Sequence, residues 1–156
     1  MSRSLSLLAV FFSLVGLTIQ AFASIFQLAP LILLGDSPYL SVFSARQVQA
    51  LSLMFLRLHD QAYGIGLVFD GLFLLLIGFL MVRSTFLPRM LGALVACAGL
   101  GWLTFLIPPL ATVLSTPIEV LGFLAELSLM LWLLVVGVNT ERWKEQENRA
   151  GAPIRT

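Results

Sequence analysis

Two acidic residues, Asp70 and Glu126, stand inside otherwise apolar segments. An isolated carboxylate at the centre of a bilayer is unfavourable by about 2.5–3.5 kcal/mol on insertion scales, so such a group is kept for structure or for chemistry. Asp70 lies nine residues after Gln61, and Glu126 lies nine after Pro117. If both segments start at the same membrane face, both carboxyls sit roughly 13.5 Å below it. Gln20 and Gln27, seven apart, share a helical face and bracket the same zone. Facing carboxyls in low dielectric cannot both ionise cheaply, so a shared proton is one expectation. The chemistry open to such a group is a polar knot between helices or a relay for a proton or small ligand.

A second polar group is His59-Asp60 with Tyr63, beside Arg57. His59 and Asp70 are eleven residues apart, three turns along one helical face, so His59, Asp60 and Tyr63 are a candidate outer mouth. Polar side chains snorkelling at an interface are the plainer reading. His59 is the sole histidine and Cys97 the sole cysteine, too few ligands for a zinc site of the usual kind. No catalytic residue, metal site or cofactor is assigned. A net charge of +1 gives no electrostatic footprint for nucleic acid.

The elements that position these residues are membrane spans. No charge occurs from Ser4 to Gly35, and the chain is 59% hydrophobic but only 11% charged. About 20 apolar helical residues cross the hydrocarbon core. Spans are expected at about 5–34, 61–82, 88–107 and 117–138. The run Met1 to Ala23 resembles a signal peptide, but the sequence stays apolar through Leu34, so a retained span is expected.

Ser44 with Gln47 reads as a capping box, opening an amphipathic helix at about 45–58. That helix either lies at the interface or extends span two. Thr116-Pro117-Ile118-Glu119 reads as the start of span four, and Pro108-Pro109 as the end of span three. Small residues at Gly64, Gly71 and Gly78, at Gly92 and Ala96, and at Gly122 and Gly137 mark faces where helices approach closely. The expected fold is all-α: one transmembrane four-helix bundle over 1–143, then a polar tail over 144–156.

Seven basic residues (Arg3, Arg83, Arg89, Arg142, Lys144, Arg149, Arg155) fall on one side and Arg46 and Arg57 on the other. This bias places both termini in the cytoplasm. The expected partners are the lipid bilayer and a second copy or a larger membrane complex. An accessory subunit packing through its small-residue faces is expected first. A small-ligand or proton-coupled carrier comes second, and an intramembrane enzyme last.

Several stretches carry a family likeness. They are Leu58-His59-Asp60, Gly64-Ile65-Gly66-Leu67-Val68-Phe69, Arg83-Ser84-Thr85-Phe86-Leu87-Pro88-Arg89 with Leu91-Gly92, and Ala98-Gly99-Leu100-Gly101. Glu126-Leu127-Ser128-Leu129 and Leu131-Trp132-Leu133-Leu134 through Gly137-Val138-Asn139 complete them. The chain resembles the bacterial multi-pass membrane family known as domain of unknown function 4386. The resemblance implies an integral membrane protein, shortened to four spans, with no settled activity; the cell (inner) membrane is the expected location. Glu126, His59 and Asp60 match its pattern. Asp70 departs from it where an apolar residue is usual, and Phe73 where histidine is.

Overall fold

The structure is a computed structural model describing residues 3–35 and 38–151. Five α-helices carry the described chain: α1 (Arg3–Leu33), α2 (Ala45–Arg83), α3 (Arg89–Leu103), α4 (Pro108–Val135) and α5 (Thr140–Gly151). Short 3₁₀ turns at Pro38–Val42 and Thr104–Leu106 link α1 to α2 and α3 to α4. The first four helices, α3 counted with its 3₁₀ turn to Leu106, are each long and apolar enough to cross a membrane. Their outward faces are strongly apolar, as Leu7, Leu28 and Phe123 illustrate.

The capping box forms as expected. Gln47 N–H donates to Ser44 Oγ at 3.4 Å, and Ser44 N–H donates to Gln47 Oε1 at 2.8 Å. The helix it opens does not stop at residue 58. Residues 45–58 are the first turns of α2, which runs unbroken for 39 residues. No Pro or Gly lies between Ser44 and Gly64 to break the backbone ladder. At 1.5 Å per residue α2 is about 58 Å long, nearly twice the hydrocarbon core. The amphipathic stretch therefore extends span two.

Span four also begins earlier than expected. Pro108 and Pro109 occupy the first turn of α4, where a missing N–H does no harm, and Pro117 falls inside the helix. Pro-Pro is thus a start rather than a terminator here, and Thr116 is not the cap. α3 begins one residue later than expected, with Pro88 at its N-cap and no side-chain cap bond. Gly137 is no packing residue. It ends α4 in a left-handed conformation, φ 70°, with its N–H donating to Trp132 O at 3.0 Å. The polar tail after Asn139 is helical through residue 151, forming α5. Residues 152–156 lie outside the described chain. Arg142 Nη1 donates to Thr85 O at 3.5 Å, placing the start of α5 beside the α2–α3 turn.

Glycines set the packing of α2 on α3. A Cβ on Gly78 would lie 2.5 Å from Ala96 N, and one on Gly99 would lie 2.7 Å from Leu75 N. These helices meet backbone to backbone, which lets dispersion act without hydrophobic drive. α1 packs against α2, α2 against α3, and α3 against α4. α1 and α4 scarcely touch. The bundle is consequently open along one side. Its buried core of Leu74, Met81, Val95, Ala98, Trp102, Ile118 and Ala125 lies among α2, α3 and α4.

Candidate functional site

The α1–α2 crossing is built from two copies of one spacing. Gly16 and Gln20 on α1 are four residues apart, as are Gly66 and Asp70 on α2. The helices are antiparallel, so each glycine faces the other helix's polar residue. A Cβ on Gly16 would lie 2.6 Å from Asp70 Oδ1 and 3.1 Å from Gly66 O. A Cβ on Gly66 would lie 2.6 Å from Gln20 Cγ and 3.2 Å from Gly16 O. Each absent side chain makes the room that the partner's polar group fills. Within that room Gln20 Nε2 donates to Asp70 Oδ2. Neighbouring hydroxyls are satisfied locally: Ser24 Oγ donates to Gln20 O at 2.9 Å and Thr18 Oγ1 to Leu14 O at 2.7 Å.

Asp70 and Glu126 line one cleft of about 420 Å³. Ser13 and Leu17 come from α1, Phe73 and Leu74 from α2, and Leu129, Met130 and Leu133 from α4. The cleft occupies the gap between α1 and α4, with α2 as its floor. The common depth arises differently from the expectation, because α4 starts nine residues before Pro117. Trp102 of α3 fixes it instead. A Cβ on Gly71 would lie 3.0 Å from Trp102 Cβ, and one on Gly122 would lie 2.8 Å from Trp102 Cζ2. Trp102 thus touches both helices near their carboxyls, with its Cβ at Gly71 and its indole at Gly122.

The expected bond between the carboxyls is not formed. Asp70 takes Gln20 as its partner, and among the described residues no hydrogen bond joins it to Glu126. Glu126 is exposed into the cleft. Gln27 does not join the site: it is exposed, with no hydrogen bond to either carboxyl. The α2 position one heptad before Gly66 is His59, which turns to Ala23 of α1. His59 Nδ1 lies 3.0 Å from Ala23 O, and a carbonyl only accepts, so that nitrogen carries the proton.

The outer group divides. His59 turns to α1 and lies beside Tyr63, with ring centroids 5.5 Å apart. Asp60 opens to a separate cavity of about 530 Å³, shared with Tyr63 and with Glu119 of α4. Glu119 is therefore a wall of that cavity, not the capping partner of Thr116. Among the described residues no group of three or more His, Cys, Asp or Glu converges to hold a metal. Gly16 and Gly66 were the residues hardest to find in the sequence, although the shared Gly-x-x-x-polar spacing is visible there.

Four long apolar helices, an open bundle and no strand among the described residues define a multi-pass helical membrane protein. Residues 1–137 match the family described as domain of unknown function (DUF4386), and the chain belongs to that family. A protein of Archaeoglobus fulgidus described as uncharacterized is 33% identical over 75 residues, covering 47% of this chain and 44% of that protein. The chain thus matches less than half the length of that relative. No solved structure matches.

Proposed function

We propose that the protein is a membrane-embedded binding protein of the carrier type, taking a small ligand into the α1–α4 cleft. The observation that carries this reading is that Asp70 and Glu126, from different helices, line one cleft open at its side. A structural knot needs no such opening, because its polar groups satisfy one another. Here Glu126 faces the cleft while Asp70 keeps one bond. The accessory-subunit reading comes second, because the glycine faces it relies on are turned inward against α1, α2, α3 and α4. In that reading a second copy or a larger membrane complex would cover the open side.

A cysteine in place of Ser13, in a Cys97→Ser background, tests the cleft. Cys97 is exposed and must be removed first. A carboxylate a few ångströms away favours a cation by a kcal/mol or more, and 1.4 kcal/mol is about tenfold. The Ser13 thiol should react roughly tenfold faster with a cationic methanethiosulfonate than with an anionic one. Glu126→Gln should shrink that preference. Equal rates for the two reagents would remove the carboxyls from any role in ligand selection.

The placement in the cell membrane with both termini cytoplasmic belongs to the same proposal and rests on the seven-to-two basic bias. A cysteine replacing exposed Ser41 should label from outside intact cells with an impermeant maleimide. One replacing Glu145 of α5 should label only after permeabilisation. The reverse pattern would invert the topology.

A further inference from the structure

The cleft does not end at the carboxyls. A second chamber of about 190 Å³ lies further along α4 and shares Leu129 and Leu133 with the first. Its other walls include Ile77, Leu80 and Met81 of α2, and Phe86 and Leu87 of the α2–α3 turn. Ser84 at its edge has its hydroxyl engaged, donating to Met81 O at 2.8 Å. The two spaces thus adjoin at Leu129 and Leu133, one holding the carboxyls and the other walled almost wholly by hydrocarbon. From Glu126 to Leu133 is seven helical residues, on the order of 10 Å, the reach of an octyl chain.

We infer that the ligand is an amphipathic organic cation, its ammonium seated between Asp70 and Glu126 and its hydrocarbon chain running into the chamber beneath Leu129 and Leu133. This rests on the reading of the cleft as a ligand site. Among the described residues no Lys, Arg or His lines either space, so no described side chain offers the two carboxyls a positive partner. Gln20 supplies a donor to Asp70 but no charge. A bare hard cation is poorly matched, because it seeks six or more oxygen ligands and these walls are mainly hydrocarbon. An organic ammonium needs few acceptors, and an aromatic face such as that of Phe73 attracts it. An anionic amphiphile would meet two carboxyls. The side opening between α1 and α4 lets such a molecule enter from the lipid phase.

The test is equilibrium binding of labelled octyltrimethylammonium, tetramethylammonium and octyl sulfonate to the full chain in nanodiscs, with empty nanodiscs subtracted. Octyltrimethylammonium should bind saturably and at least about tenfold more tightly than tetramethylammonium, since each buried methylene adds affinity. Octyl sulfonate should not bind above background. The Asp70→Asn, Glu126→Gln double variant should lose at least tenfold. Ile77→Trp, which fills the chamber, should erase the chain-length advantage. Leu87→Trp serves the same purpose if the first variant fails to fold. Equal binding of octyl sulfonate would overturn the inference, as would retention of the chain advantage with the chamber filled. Carboxyl-dependent binding of tetramethylammonium with no gain from the chain would overturn it too, yet leave the cleft a ligand site. Absence of carboxyl-dependent binding by either cation would overturn both.

Discussion

Gly78→Ala should destabilise the protein by about 1–3 kcal/mol, whereas Gly64→Ala should be neutral or slightly stabilising. Both glycines lie on one heptad-spaced face of α2, and composition alone does not separate them. The structure does. A Cβ on Gly78 would sit 2.5 Å from Ala96 N and 2.7 Å from Gly92 O, both backbone atoms that move only if the helices part. A Cβ on Gly64 meets nothing nearer than Phe105 Cδ1 at 3.6 Å, an ordinary contact. Alanine also favours a helix by about 1 kcal/mol over glycine, which is felt at Gly64 and overwhelmed at Gly78. Thermal unfolding in a mild detergent reads the difference directly. Coincident melting of the two variants would mean that α2 and α3 are not in backbone contact.

The second large effect concerns Asp70, where two substitutions should diverge. Asp70→Asn keeps an oxygen that can accept from Gln20 Nε2, so stability should stay within about 0.5 kcal/mol of the parent. Asp70→Leu leaves Gln20 without its acceptor, at roughly 1–3 kcal/mol for an unsatisfied buried group. It also directs a branched side chain at Gly16, where a carboxylate oxygen now fills the space. Both variants remove a charge, so both should weaken the cationic preference at the Ser13 thiol. Stability and selectivity are thereby separated: only leucine lowers the melting temperature, and either change lowers the preference. Should the asparagine variant melt like the leucine one, the Gln20 bond would not be what seats Asp70.

What the residues disclosed in advance follows from what a single helix can encode. The Ser44–Gln47 capping box was legible because its partners are three residues apart. Asp70 and Glu126 stood out because a carboxyl within an apolar span demands an explanation. Gln20 was found by the same reasoning, and Gln27 was wrongly grouped with it. Seven-residue spacing places both on one face of α1, but α2 decides what each meets: Gly66 leaves room for Gln20, whereas His59 reaches Ala23 O and Gln27 stays exposed. The start of α4 was misplaced because Pro-Pro stops one helix and suits the first turn of the next equally well. Thr-Pro-Ile-Glu then offered a cap signature that the helix runs straight through. Residues 45–58 could not be assigned to a separate helix or to span two, since an amphipathic pattern describes a face and not a boundary. The open side of the bundle was out of reach, because nothing in a sequence states that its first and last spans fail to meet.

The α3–α4 hairpin has one more consequence. Arg89 to Leu106 covers 18 residues, about 27 Å at the α-helical rise, while α2 runs to about 58 Å. From Met90 to Ile118 there is no charged residue, and Leu106 and Ile107 at the tip are exposed. Nothing at that tip requires bulk water. The α3 arm just matches a thin bilayer of about 27 Å and falls short of a sterol-rich one of about 32–33 Å. In the thicker membrane its tip lies below the lipid surface, and the cavity holding Asp60 and Glu119 sinks with it. Acyl-chain length is then a variable that sets how far those two carboxylates stand from the aqueous phase.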